Sequence, residues 1–549
     1  MEDFRGGSKT YTIEERLCEQ HFVKTTLRNE QGRYVVQLPL KQQLVDNLGT
    51  SRDIALNRLR SLERRFDKDP NLRVRYSNFI HEYIDLGHVR QILEEDPNEP
   101  GAYYMPHHCV LKEDAKSTKL RVVFDASCKA DSGLSLNDIM MVGPVIQDDL
   151  FSILLRFRIH LYVLVADIVK MYRQVLVHPS QTKLQRFLWR DDKTLDVQIF
   201  ESLVVTFGEA AAAFLVIRCL IDLAERYEKE FPIASLILKR DFYMDDMLTG
   251  ADSKQEALAI RDQIIPLLRL GSFELSKWGS NCPELLAGIS DRSDRVVPFD
   301  KDNNFRVLGT GWDMRDDLFC FSLNPLPSSR TITKRSILSE LAKLFDPMGL
   351  LGPTVVVAKI LLQTLWQSGV GWDESVPQEV HTKWLQFRLQ LSNIDKLRIP
   401  RCVKQRAEAR FIQIHGFCDA SERAYGACVY VRTQLGPESY ASHLLCSKSR
   451  VAPVKAISLP RLELAAALLL SQLMDKVKSA IDTIGMSIRL WSDSTITLNW
   501  INSHSRKWST FVANRVGEIQ RLTETSNWRH VKSSNNPADV CPEGCSQVS

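Results

Sequence analysis

Two sets of carboxylates in this sequence have the types and spacing to hold divalent metal ions. In the first, Tyr243-Met244-Asp245-Asp246 lies between two short apolar pieces, residues 236–238 and 247–248. That pattern predicts a tight hairpin presenting two adjacent acids on its turn. Upstream, the apolar run 160–166 (HLYVLVA) reads as a buried strand ending in Asp167, with a helix-like stretch over 168–175. An acid at the carboxyl end of a buried strand can line a site at a sheet edge. Asp167, Asp245 and Asp246 together suit phosphoryl transfer, which needs two metal ions about 4 Å apart more than covalent help from the protein. Mg²⁺ fits such oxygen ligands, keeping several waters of its own.

In the second set, the alternating strand RFIQIHGFCDAS (410–421) ends near Asp419. The helix opening Ser458-Leu459-Pro460-Arg461-Leu462-Glu463 has proline in its first turn, where no amide donor is missed, and sets Glu463 one turn in. A strand over 488–492 ends at Asp493, and Asn536-Pro537-Ala538-Asp539 turns into the last segment. Singly, each acid fits a surface position or an N-cap. Jointly, the four would form a two-metal hydrolytic site acting on a phosphodiester.

The elements that must position these acids fall into four regions. Residues 1–100 read as a helical lead-in, with helices over 41–66 and 74–95. Residues 101–285 alternate apolar strands with amphipathic helices. Residues 286–405 mix strands (305–312, 318–323) with a helix over 333–344 stopped by Asp346-Pro347-Met348-Gly349, and the basic stretch 398–410 reads as a linker. Residues 406–549 predict three strands (411–417, 426–432, 443–447), a helix over 459–481, a strand over 487–491, then helix, helix and strand. That order points to a mixed α/β sheet.

Bulk properties agree with a multidomain α/β and α+β protein. At 549 residues the chain is too long for one core, and its 44% hydrophobic and 25% charged residues are ordinary for a globular protein. A net charge of +4 decides nothing, because basic residues can gather in one groove. The twelve cysteines form no CxxC pair, which argues against zinc and a disulfide framework. The polar opening MEDFRGGSKT is unlike a signal peptide, and the greasiest stretches (355–362, 464–470) are too short or too charged at their flanks to span a bilayer. The expectation is a cytoplasmic or nuclear protein, without a membrane partner.

Several segments resemble the Pol polyprotein of Pao/BEL-class long-terminal-repeat retrotransposons: KLRVVFDAS (119–127), SLNDIMMVGP (135–144), DLFSILLRFR (149–158), VADIVKMYRQVLVHP (165–179), FLWRDD (187–192), RDFYMDDMLTGADS (240–253) and SKWGSNCPELL (276–286). The tail resembles it too, in DAS, LPRLELAAA, WSDS and WRHV…NPADV. The resemblance implies a right-hand polymerase (fingers, palm, thumb), a connection region and an RNase H-like domain. It implies a reverse transcriptase that uses an RNA template, a DNA primer and dNTPs, and a nuclease that cuts the RNA of an RNA–DNA hybrid. Two Mg²⁺ per site would sit on Asp167, Asp245 and Asp246, and on Asp419, Glu463, Asp493 and Asp539. Tyr172 matches the aromatic that stacks under the incoming sugar, Arg121 and Lys119 the residues that grip the triphosphate, and Lys277 a proton donor to pyrophosphate. Tyr243 and Gly208 match positions beside the substrate.

Two features depart from the family. Where relatives read FGxxSxPF, this chain has Phe207-Gly208-Glu209-Ala210-Ala211-Ala212-Ala213-Phe214, in a segment expected to contact template–primer. The region 305–387 resembles the stretch named a Pao peptidase, yet it has no persuasive catalytic acid pair, so it reads as a connection that binds the hybrid; Asp131-Ser132-Gly133 reads as a turn. The rival reading is a decayed or domesticated relic that only binds nucleic acid. Oligomeric state is left open.

Overall fold

The computed structural model describes residues 11–93, 101–111, 120–289, 305–307, 310–321, 331–404, 410–483 and 485–543. Lys119 and the opening decapeptide lie outside them. Among the described residues, helices are mixed with six sheets. Among the described residues no helix is long and apolar enough to cross a membrane, and the described cysteines are all free.

Near the N-terminus, helix α1 (Arg52–Lys68) buries Ala55, Leu59, Leu62 and Phe66, a stripe at helical spacing. Phe66 packs edge-on against Tyr76 and Trp189, at 5.3 and 6.2 Å. The next helix, Pro70–Asp85, is capped by Asp69 accepting from the Leu72 amide. It is shorter than the predicted 74–95 helix. Gly87 adopts φ +65 and ends it, and Val89–Ile92 becomes a strand paired with Gln198–Ser202. One buried core runs from Cys18 to Leu286, so the N-terminal helices and the first carboxylate set share it.

Helix α2 (Leu150–Ile159) leads into a four-stranded antiparallel sheet of β1 (Tyr162–Ile168), β2 (Phe242–Tyr243), β3 (Asp246–Ala251) and β4 (Leu275–Ser280), in the order β2-β3-β1-β4. β1 reads as a continuous apolar run because both its faces are covered. Leu164, Ala166 and Ile168 join the first core, while Val163 and Val165 join Trp312, Phe319 and the helices after residue 331. Two local expectations are corrected here. Residues 236–238 belong to the helix Pro232–Arg240, leaving only Phe242–Tyr243 as the hairpin's first arm. The stretch 168–175 holds only a short 3₁₀ turn, Met171–Gln174, after Lys170 at φ +48.

The predicted linker 398–410 is partly buried structure. Arg398–Pro400 is a strand, and Arg401 is fully buried, paired with both oxygens of Asp317 (2.6 and 2.7 Å) and donating to the His160 carbonyl. Arg158, on α2, donates to the carbonyls of Pro400, Arg401 and Leu445, and burial pushes its pKa down to about 10. Arg401 was missed as a structural residue, because arginines in a basic stretch read as solvated.

The C-terminal region is a five-stranded sheet of β5 (Arg410–Ala420), β6 (Ala424–Gln434), β7 (Tyr440–Val451), β8 (Ser487–Ser492) and β9 (Trp528–His530), in the order β7-β6-β5-β8-β9. The first three strands pair antiparallel; β8 and β9 add in parallel. A parallel addition needs a crossover, which helix α3 (Leu459–Ala480) provides, packing Leu462, Ala466, Leu470 and Leu473 on the sheet. The helix Gly352–Gln367 docks on β7, where Ser447 donates its amide to the Met348 carbonyl (2.9 Å).

Candidate active sites

In the first site, antiparallel register sets Asp246 of β3 directly opposite Asp167 of β1. Asp245 occupies the turn, and its carbonyl accepts from the Ile168 amide at 2.9 Å. The turn is tight enough to force Met244 to φ +54, and the Met244 amide donates to Gln147 Oε1 (2.9 Å). Directly opposed like charges weaken a strand pair, so this pairing costs stability unless cations offset it. One offset is present. Lys277, at φ +52 in a bulge of β4, reaches Asp167 Oδ2 at 2.8 Å. Burial, then the charges of Asp245 and Asp167, push the Asp246 carboxyl up to about 7. Burial and Asp167 raise Asp245, while Lys277 and Arg121 pull it back.

The other predicted residues cluster around this turn. Arg121, on the strand Leu120–Phe124, acts on Asp245 through its charge. Tyr172 packs edge-on against the exposed ring of Phe207 (5.4 Å), and burial, then Asp245, raise its hydroxyl to about 12. Gly208 has φ +108, and a Cβ there would stand 2.9 Å from the Phe124 carbonyl oxygen, so glycine is required on two counts. Asn137 clamps this loop, donating to the Gly208 carbonyl (3.0 Å) and accepting from the Ala210 amide (2.8 Å). The alanines of the departing segment are absorbed by packing, with Ala211 and Ala212 buried. Tyr243 is partly exposed beside the turn. Gln147 and Asn137 were not singled out from sequence, although Asn137 lies in the quoted SLND motif.

In the second site, three elements converge. Asp419 is at the end of β5, whose Cys418 pairs with Ser492 of the parallel β8, so Asp493 emerges beside it. Glu463 comes from the first turns of α3. One ligand oxygen from each of Asp419, Glu463 and Asp493 lies within 4.8 Å of the others, the single such set among the described residues. Glu463 is 8% exposed, and its Oε2 has no hydrogen-bond partner among the described residues. Burial, then Asp419 and Asp493, raise its carboxyl to about 8, with Asp539 a smaller contributor. An inward-facing carboxylate oxygen lacking a donor is what a bound cation would satisfy.

Residues 333–494 match the family model of a Pao retrotransposon-like RNaseH-like domain. The match takes in the helices that dock on β7, then β5 to β8 with Asp419, Glu463 and Asp493, and supports a retroelement nuclease-type function for this region. No curated protein matches the chain. Beyond the matched residues, Ser533 Oγ donates to Asp493 Oδ2 (2.7 Å), and Asn536 Nδ2 to the Cys418 carbonyl (3.2 Å), tying the Asp539 segment to the sheet. Asp539 lies outside the three-acid set, its amide donating to the Asn536 carbonyl (3.2 Å). His530 is exposed on β9, opposite Ser492.

Proposed function

We propose that this chain is the polymerase and nuclease part of a retrotransposon polyprotein: an RNA-directed DNA polymerase, arranged as fingers, palm and thumb, joined to an RNase H that cuts the RNA of RNA–DNA hybrids. The observation that carries the reading is the register of β3 on β1, which puts Asp246 opposite Asp167 with Asp245 on the adjoining turn. A sheet keeps such repulsion where function needs clustered charge. Asp167, Asp245 and Asp246 would hold one pair of Mg²⁺ ions, and Asp419, Glu463 and Asp493, with Asp539, another. When bound, such ions lower the pKa of the attacking hydroxyl or water and neutralise charge on the phosphate.

The chain's own residues then divide the work. Lys277, already on Asp167, is placed to move to the leaving pyrophosphate once cations take over its carboxylate. Arg121 faces the acids from the opposite strand pair and suits a triphosphate through its bidentate fork. Lys119 would share that task. The Tyr172 ring, held against Phe207, would exclude a 2′-hydroxyl, and Gly208 and Tyr243 would flank the substrate. The connection region docked on β7 would guide the hybrid between the sites.

The test is primer extension on poly(rA)/oligo(dT) with Mg²⁺, alongside hydrolysis of a labelled hybrid. Asp245→Asn should abolish extension and spare hydrolysis; Glu463→Gln should do the reverse. Template-dependent extension that survives Asp245→Asn overturns the polymerase reading. A second reading, a relic that only binds nucleic acid, is favoured by the Ala210–Ala213 departure. It predicts salt-sensitive hybrid binding with neither activity.

A further inference from the structure

We infer that the exposed face of α1 is a binding track for the phosphate backbone of a polynucleotide strand, separate from both carboxylate sites. The inference rests on the nucleic-acid reading above for its choice among polyanions. Arg60, Arg64 and Lys68 are exposed on the side away from the buried stripe Ala55–Leu59–Leu62–Phe66, with the exposed Arg58 and Arg65 on its flank. None of the five forms an ion pair with a described residue. The acids that border the face are already engaged: Glu63 by Arg190 (2.6 Å) and Asp67 by Lys193 (3.2 Å). Asp191 and Asp192 nearby are taken by His81 and Arg73. Asp53, in the first turn, and the exposed Asp196 are the acids left over.

A whole-chain charge of only +4 makes this concentration uneven rather than general. Arg60, Arg64 and Lys68 recur every fourth residue, so they form a row along the helix with about 6 Å between successive cations. That interval is comparable with the spacing of neighbouring phosphates along one strand. Arg60 and Arg64 also line an open groove of about 680 Å³, together with Asn57 and the Glu63–Arg190 and Asp67–Lys193 ion pairs, which leaves the two arginines as its unpaired charges among the described residues. Packing of Phe66 against Tyr76 and Trp189 holds the face in a fixed orientation. Cations without base-reading partners bind backbone and ignore sequence.

The test is fluorescence anisotropy of a labelled single-stranded RNA with the full chain in EDTA, titrated across salt. Catalysis is silent there, so failure of either enzymatic reading leaves the result readable. The triple variant Arg60→Gln, Arg64→Gln, Lys68→Gln should lower the log–log salt slope by about 2, from about 0.7 per lost single-strand phosphate contact, and weaken binding about 100-fold near 0.1 M salt. The charge-preserving Arg60→Lys, Arg64→Lys should keep the wild-type slope. An unchanged slope in the triple variant overturns the proposal, and so does loss of binding in the lysine variant. Binding to phosphatidylserine vesicles that matches RNA binding and shares its dependence on the three cations overturns the assignment to a polynucleotide.

Discussion

Glu209→Gln isolates an acid whose burial favours its neutral form. Glu209 is 5% exposed, and burial raises its carboxyl from 4.5 to about 8. With the Gln185 amide turned to satisfy its neighbours, its nitrogen donates to Glu209 Oε1 (2.8 Å), while Oε2 has no partner among the described residues. A raised folded pKa means the folded state holds the proton longer than the unfolded chain. The stability it contributes is therefore complete below pH 4.5 and is lost as pH rises to about 8. The full loss is the shift of about 3.5 units times about 1.4 kcal/mol, or about 5 kcal/mol, an upper bound. By pH 6 about 2 kcal/mol of it is spent, so between pH 6 and pH 9 the wild type should lose a further ~3 kcal/mol that glutamine does not. Urea unfolding of both proteins at the two pH values, in EDTA, reads this difference directly, because other titrating groups cancel. Equal stability changes in the two proteins would refute a buried, proton-bearing Glu209. Glu209→Ala should instead cost about 1–3 kcal/mol at pH 6, by leaving Gln185 without its acceptor.

Three further outcomes follow from the geometry. Lys277→Met removes the cation that pulls Asp245 and Asp246 back toward their usual range, so the acid limb of the pH–rate profile for extension should move to higher pH; an unmoved limb tells against the Lys277–Asp167 contact. Tyr172→Val should raise ribonucleotide incorporation relative to deoxyribonucleotide by at least tenfold in single-nucleotide extension, whereas a core-only role predicts equal losses for both. Arg401→Met leaves the Phe157 and His160 carbonyls without their donor, while the partly exposed Asp317 keeps Trp312 and Asn281, and should cost about 1–3 kcal/mol in chemical denaturation; a change under about 0.5 kcal/mol would mean the arginine is dispensable.

What could be seen in the sequence was the end of each strand, not the join between regions. Asp167, Asp419 and Asp493 each follow an apolar or alternating run, and strands with that patterning form where predicted. Local periodicity reports burial, and an acid at the end of a buried strand is visible without knowing its neighbours. The pairing of Asp246 with Asp167 joins residues 79 apart and depends on the register of a hairpin whose first arm is two residues long. Arg158 and Arg401 were invisible for the same reason. Their backbone acceptors lie more than 200 residues away, and Asp317, the carboxylate partner of Arg401, is 84 residues away. Short-range signals also misled where a single residue overrode the pattern, as Gly87 did at the end of the second helix.

Those two arginines bear on how the sites relate. A buried guanidinium is tolerated only when its donors are met, and Arg158 meets them with three backbone carbonyls, two from the strand at Pro400 and its neighbour and one from β7. Backbone acceptors cannot rotate away as side chains can. Arg158 sits on α2, the helix that leads into β1 and Asp167, while β7 belongs to the sheet that ends at Asp419. Leu155 of α2 reaches the same core as α3, and Lys476 of α3 meets Asp149 at 2.9 Å. Sliding the RNase H-like sheet against the first site would therefore strand a buried cation, open an apolar contact and break an ion pair together. Because those costs fall on one helix, a hybrid leaving the first site would meet the second at a fixed separation, and cleavage should track the primer end rather than wander.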